Sequence, residues 1–280
     1  MSDGYAEQLI YAATDDDVLL AGMLIQPEAV ADRFASILLI HGNAAAFYDP
    51  PYVRLGRALA TLGYAVLIGN TRGHDIAATL WKASSGMPFA GGGGSGWERM
   101  EDAPRDVAAW VRLLQSRQAQ RIVVAGHSKG AQKVILYGME APVAEVRGIV
   151  LASPDLRGMR IPGELEAARQ MVAEGRGMDV LPAQVWAPWY RQSAQAVVSH
   201  AETVDRYFGS EMAGVTALRL PVLAFFGSRE TGAEASLEAI RNVAGASVAT
   251  RLIDGADHFY SGHEEEIARM IADWTGTLAG

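Results

Sequence analysis

The sequence predicts an α/β domain: a mostly parallel sheet of eight strands, helices on both faces, and a helical cap inserted after the sixth strand. Three observations carry that expectation. Short apolar, β-branched runs alternate with stretches whose apolar residues recur at helical spacing, the pattern of strands joined by right-handed helical crossovers. One such run, Arg121 to Ala125, leads straight into Gly126-His127-Ser128-Lys129-Gly130 and then into a helical segment. The block between the strand runs at 148–153 and 221–226 holds helical patterns but nothing comparable to a strand. The expected division is a core of residues 1–154 and 218–280 with the cap at 155–217.

Taken in order, Glu7 to Ala13 and Val18 to Gln26 flank Asp15-Asp16-Asp17 and read as two strands joined by a solvated acidic turn. Ser36 to Ile40 is a continuous apolar run, suited to a strand buried on both faces, and ends in His41-Gly42-Asn43. Pro51 suits the first turn of a helix with Leu55, Ala58, Leu59 and Leu62 on one face and Gly63 as its stop. Ala65 to Gly69 is the next strand. Ile76 to Trp97, with its Gly91-Gly92-Gly93-Gly94-Ser95-Gly96 tract, reads as a long mobile loop over one edge of the sheet. No strand precedes those glycines and no Gly-Lys-Ser/Thr follows, so they are not a phosphate cradle. Asp102 and Pro104 open a helix carrying Val107, Trp110, Val111 and Leu114 inward. Beyond the cap block, Pro221 to Phe226, a helix near Ala233 to Ala244, a strand at Ser247 to Ile253 and a last helix from Glu264 complete the chain.

Composition narrows the function. At 280 residues, 50% apolar and 20% charged, the chain is an ordinary globular one with length to bury a core. Its formal charge of −8, without a basic tract, argues against nucleic acid or an anionic membrane surface as partner. The absence of cysteine excludes disulfides, thiolate catalysis and Cys-based zinc sites. Met1 to Ile10 lacks the basic-then-apolar order of a signal peptide, and no apolar run approaches the roughly 20 residues of a membrane span. A cytoplasmic protein without cofactor or metal is expected, with homodimer formation left open.

In a parallel sheet, sites assemble beyond the carboxyl ends of the strands. Four such ends carry chemistry here: His41-Gly42-Asn43, Ser128, Glu230 and His258. A serine hydroxyl is a poor nucleophile at neutral pH and needs an imidazole to take its proton; His258 is the candidate. The imidazole needs a carboxylate to fix its tautomer. Glu230 is the preferred candidate, and Asp155, one strand earlier, is the alternative. The developing oxyanion needs preorganised donors, assigned to the backbone N–H of Lys129 and of Asn43 or Ala44. The order serine, acid, histidine is the one that G-x-S-x-G on a strand–turn–helix predicts.

These pieces resemble the α/β-hydrolase-fold serine hydrolases over nearly the whole chain, on HGN at 41–43, GHSKG at 126–130, FFGSRE at 225–230 and GADHFY at 255–260. A weaker similarity is to the siderophore-esterase-like branch, on SGWERMEDAPRDVAAWV, GHSKGAQKVILY, WYRQSAQA and DRYFGS. That branch would imply ester hydrolysis on a bulky hydroxamate-type substrate. The expected activity is hydrolysis of a small-molecule carboxylic ester or lactone through an acyl-enzyme. Amide or carbon–carbon bond hydrolysis, acyl transfer, and a non-catalytic receptor are the alternatives. Phe47, Tyr48, Trp186, Trp189 and Tyr190 are the aromatic candidates for substrate contact, with packing in the core or cap as the default reading of any one of them. His41 is expected to be structural, His127 to pack beside the elbow, and His74 with Asp75 to order a loop. His200 and His263 read as surface or cap residues, and Asp257 as a loop-ordering neighbour of His258.

Overall fold

A computed structural model describes residues 4–28, 35–140, 142–156, 163–182, 190–209, 212–244 and 248–278. The strands are β1 (Tyr5–Ala13), β2 (Val18–Pro27), β3 (Ala35–Ile40), β4 (Ala65–Gly69), β5 (Trp81–Lys82), β6 (Arg121–His127), β7 (Val146–Ala152), β8 (Val222–Gly227) and β9 (Val248–Ile253). Their order across the sheet is β1-β2-β4-β3-β6-β7-β8-β9, with the two-residue β5 added beside β2. From β4 to β9 every neighbouring pair is parallel, while β2 is antiparallel to both β1 and β4. The sheet is therefore an eight-strand path plus a short extra ribbon.

Alternation along β6 shows why the run is apolar throughout. Ile122 and Val124 face one core cluster, Val123 and Ala125 the other. The first cluster is closed by α2 (Ala103–Ser116), α3 (Lys129–Met139) and α7 (Ala233–Ala244), through Val107, Trp110, Ile135, Leu237 and Ile240. The second is closed by α1 (Pro50–Thr61) and α8 (Glu264–Thr277), through Leu59, Ile267 and Ile271. Each such aliphatic side chain contributes about 1.5–3 kcal/mol on leaving water. Trp110, fully buried, also satisfies its ring N–H on the Asn70 carbonyl at 2.8 Å. Pro50 and Pro51 start α1, and Glu264, Glu265 and Glu266 occupy the first turn of α8, where a carboxylate complements the helix dipole.

Between β7 and β8 the described residues form α4 (Glu164–Ala173), α5 (Ala194–Thr203), a π-helical turn at Val204–Phe208 and α6 (Ala213–Ala217). Among them only an isolated bridge, Val180 with Ser193, pairs like a strand. No helix among the described residues is long and apolar enough to cross a membrane.

The glycine tract departs from the mobile surface loop that its composition suggested. Gly93 to Gly96 are buried. Gly93 exchanges both backbone bonds with Ala78, Gly94 N–H donates to Arg72, Ser95 N–H to Asp75, and the Gly96 carbonyl accepts from Ser193. Counting glycines signals backbone freedom in an isolated chain. Here the missing side chains instead let one backbone run close against others, and the tract carries Glu98 into the interior, where it is 2% exposed.

Candidate active site

Ser128 stands between β6 and α3 with φ 54° and ψ −122°, a left-handed conformation that a side chain rarely adopts. Two close approaches enforce it. A Cβ on Gly126 would lie 2.3 Å from the Gly130 carbonyl oxygen, and one on Gly130 would lie 2.4 Å from that of His41. The helix thus starts against the backbone of β3, which any larger residue at either position would prevent. Ser128 N–H donates to the Ala152 carbonyl at 2.9 Å, tying the turn to β7.

Beyond β8 and β9, His258 Nδ1 lies 2.6 Å from Glu230 Oε2. The other oxygen, Oε1, accepts from Gly227 N–H at 2.8 Å and from the Ser153 hydroxyl, which in turn contacts the Tyr260 hydroxyl. Burial works against a charged Glu230, but the bonds from His258, Ser153 and Gly227 outweigh it and hold the carboxyl below its ordinary value. With Nδ1–H on the carboxylate, Nε2 is the nitrogen left to take a proton. The Glu230 side chain is 13% exposed and that of His258 40%, so the acid is enclosed and the imidazole reaches solvent or substrate.

A second chain of bonds backs this pair. Gly42 N–H donates to the Tyr52 hydroxyl at 2.8 Å, Tyr52 donates to His127 Nδ1 at 2.9 Å, and His127 Nε2–H donates to the His258 carbonyl at 2.8 Å. That tautomer requires a neutral ring, and burial, with the nearby His258, holds the His127 pKa down to about 4. His41 is likewise interior and neutral: burial, then the Lys133 charge, lowers it to about 3. Its Nδ1 donates to the Gly42 carbonyl and its Nε2 accepts from Thr71 N–H.

Lys129 is the first residue of α3, so its N–H has no carbonyl partner within the helix. Asn43 and Ala44 follow β3, Ala44 in the left-handed region at φ 53°, and the Asn43 side-chain oxygen accepts from the Tyr190 hydroxyl at 3.0 Å. Gly42, Asn43, Ser128, Lys129 and His258 line one cavity of about 300 Å³. The chain between β7 and β8 adds Asp155, Tyr190, Gln192 and His200 to its wall, and Phe259 adds a ring beside His258.

The aromatic expectations divide. Tyr190 lines the cavity, whereas Trp186 and Trp189 fall outside the described residues. Phe47 and Tyr48 do not line it. Phe47 packs on the core beneath α1, its N–H held by the Asn70 side chain, and Tyr48 is turned outward, its hydroxyl on Asp75 at 2.7 Å. Of the two readings open to these aromatics, core or substrate contact, Phe47 takes the core; the loop turns both residues towards Asn70 and Asp75 rather than into the cavity. His74 bonds the same Asp75, ordering that loop. Among the described residues no group of three or more His, Asp and Glu is placed to hold a metal ion. The carboxylate on His258 is that of Glu230, while Asp155 stands in the cavity wall. His200, read from the sequence as a surface or cap residue, lines the cavity from the segment between β7 and β8, and Gln192 joins it there with nothing in its local pattern to mark it.

A family model for serine aminopeptidase, S33, matches residues 31–262. The chain belongs to that S33 family. Comparison with curated proteins gives no match. Solved structures share the fold of this S33-family chain at low identity. Est1E from Butyrivibrio proteoclasticus is 17% identical with a TM-score of 0.65, over 95% of this chain and 97% of Est1E. The Pyrococcus furiosus esterase Pf2001 is 17% identical with a TM-score of 0.61, over 99% and 95%. Dienelactone hydrolase from Anabaena variabilis is 14% identical with a TM-score of 0.60, over 99% and 100%. These likenesses establish the α/β-hydrolase fold.

Proposed function

We propose that this S33-family chain is a serine esterase acting on small carboxylic esters or lactones through an acyl-enzyme. The observation that carries the reading is the Glu230–His258 contact at 2.6 Å, made at the rim of the cavity that also holds Ser128. In this reading His258 Nε2 takes the Ser128 proton as the hydroxyl attacks the ester carbonyl. Glu230 fixes the tautomer and stabilises the imidazolium. The N–H groups of Lys129 and of Asn43 or Ala44 receive the negative oxygen of the tetrahedral intermediate. His258 then protonates the leaving alcohol, and water repeats the sequence on the acyl-enzyme.

The segment 155–217 serves as the cap, because Tyr190, Gln192 and His200 close the cavity from its side. No aliphatic side chain larger than alanine is among the described residues of that wall, which favours short, polar or aromatic esters over fatty acyl chains. The ferulic acid complex of Est1E is consistent with an aromatic acid on this fold. Ser128→Ala tests the whole reading: the variant should fold normally and lose p-nitrophenyl acetate turnover by about 10³-fold or more. Near-normal turnover would overturn it.

A second reading, amide hydrolysis, is favoured by Asp155 in the cavity wall, a carboxylate suited to a substrate ammonium group. Aminoacyl p-nitroanilides separate the two: turnover of these above that of the acetate ester would replace the esterase reading.

A further inference from the structure

The chain carries 21 arginines and only three lysines, and two of those lysines end on one buried carboxylate. Lys133 Nζ lies 2.6 Å from Glu98 Oε1 and Lys129 Nζ lies 3.0 Å from Oε2. The side chains of Lys133 and Glu98 have no exposed surface and that of Lys129 has 6%. These contacts are ion pairs by distance rather than aligned hydrogen bonds. The fit is tight: a Cβ on Gly73 would lie 2.1 Å from the Glu98 carboxyl carbon. Such a site takes a compact ammonium and has no room for the planar fork of arginine.

Burying three charges is costly, and such a cluster is poor evidence for stability by itself. Its connections say what it holds. Lys133 also donates to the Thr71 hydroxyl at 2.7 Å; Thr71 N–H donates to His41 Nε2 at 3.1 Å; His41 Nδ1–H donates to the Gly42 carbonyl at 2.8 Å. One arm from Glu98 therefore ends on the loop of Asn43 and Ala44. The other arm, one turn earlier on α3, ends on Lys129, the residue directly after Ser128. These are the two backbone segments that supply the oxyanion donors.

We propose that Glu98 is a positioning residue for the oxyanion hole: through Lys129 and Lys133 it sets the separation of the two backbone segments whose N–H groups receive the developing negative oxygen. The inference rests on the esterase reading of Ser128. It gives the glycine tract at 91–96 a purpose, since that tract delivers Glu98 to the interior.

The test compares Glu98→Gln/Lys129→Met, which removes one charge of each sign, with Lys129→Met alone, which leaves the Glu98–Lys133 pair intact. For each folded variant, kcat and KM are measured on p-nitrophenyl acetate, and inhibition by phenylboronic acid, whose serine adduct mimics the tetrahedral intermediate. The double variant should lose about ten- to a hundredfold in kcat, short of the loss for a deleted donor, with KM within about twofold. Its boronate inhibition constant should rise by the same factor as kcat falls, and Lys129→Met should show the same pattern more weakly. Unchanged kcat in either folded variant, or a loss confined to KM, overturns the proposal. If the double variant does not fold, Lys129→Met decides alone. Failure of the esterase reading shows separately, as turnover that survives Ser128→Ala.

Discussion

The ring of His127, the residue before Ser128, holds the main-chain carbonyl of His258 through Nε2–H at 2.8 Å, with the two ring centroids 4.7 Å apart. The elbow thus grips the backbone of the histidine loop as well as presenting the serine. Because His127 Nδ1 is held by Tyr52, and Tyr52 by Gly42 N–H, a single phenol hydroxyl links the loop after β3 to the loop after β9.

Tyr52→Phe isolates that hydroxyl. It leaves one buried donor, Gly42 N–H, and one buried acceptor, His127 Nδ1, without a partner at no cost in ring packing. Stability should fall by about 1–3 kcal/mol, read as a lower urea midpoint at unchanged slope. Ester turnover should fall with it, since the loop holding Asn43 is loosened. An unchanged midpoint would mean that water replaces the hydroxyl.

The acid of the proposed triad is settled by a paired comparison. Glu230→Gln keeps the shape but destroys the charge opposite His258 Nδ1, and should reduce kcat by about 10³–10⁴-fold. Asp155→Asn should leave kcat within about tenfold and act chiefly on KM, because Asp155 lines the cavity whereas the carboxylate on His258 Nδ1 is that of Glu230. The reverse ranking would transfer the role to Asp155.

Acid should unfold the protein through its buried histidines. His41 and His127, lowered by burial to about 3 and about 4, stay neutral in the fold, whereas the unfolded chain takes up both protons below about pH 6.5. Their contribution is complete above pH 6.5 and is lost as pH falls towards 4, at up to about 1.4 kcal/mol per pH unit for each ring. Asp106 works the other way. Its burial outweighs Arg72 and lifts its carboxyl to about 6, so it gains stability on acidification between pH 6 and its unfolded value of 3.8. A net loss of about 1.4 kcal/mol per unit should remain between pH 6 and 4. Below pH 4.5 it steepens, because Glu98, held at about 2 in the fold where Lys133 and Lys129 overcome its burial, stays charged while the unfolded chain takes up a proton there. Urea midpoints from pH 8 to 4 check this; a profile flat down to pH 5 would contradict neutral buried rings.

The want of long aliphatic side chains among the described residues of the cavity wall sets an expected substrate order. Across p-nitrophenyl acetate, butyrate, octanoate and decanoate, kcat/KM should be highest at two to four carbons and fall steeply beyond. A maximum at eight carbons or more would show that an apolar channel reaches Ser128.

Most of the framework is legible in the sequence, for definite reasons. A strand buried on both faces, such as β6, must be apolar throughout, and G-x-S-x-G leaves glycine at the two points where backbones touch. What could not be read are contacts that depend on how one distant segment lies on another. Gln192 and His200 reach the cavity only through the way the segment around α5 lies on the Gly96 to Glu101 stretch, tied there by Ser193 N–H on the Gly96 carbonyl and by Met100 N–H on the Ser199 hydroxyl. Nothing in the pattern around Glu98 marks it as interior, since sequence carries no record that Gly73 leaves its carboxyl a space inside. An aromatic side chain fits a core and an acyl pocket equally well by type, and only the fold separates Phe47, packed on the core, and Tyr48, turned outward, from Tyr190 in the cavity wall.

The buried lysine pair also governs how the protein meets amine-directed reagents. Acylating esters and reductive alkylation act on accessible, unprotonated amines, and Lys129 and Lys133 are shut away against Glu98. Of the three lysines, only Lys82, resting over the ring of Phe89 on the short β5 ribbon, is outside that cluster. Mild labelling of the native chain would accordingly mark Lys82 alone among the three lysine side chains. Labels on the other two would report opening of the interior beneath the elbow.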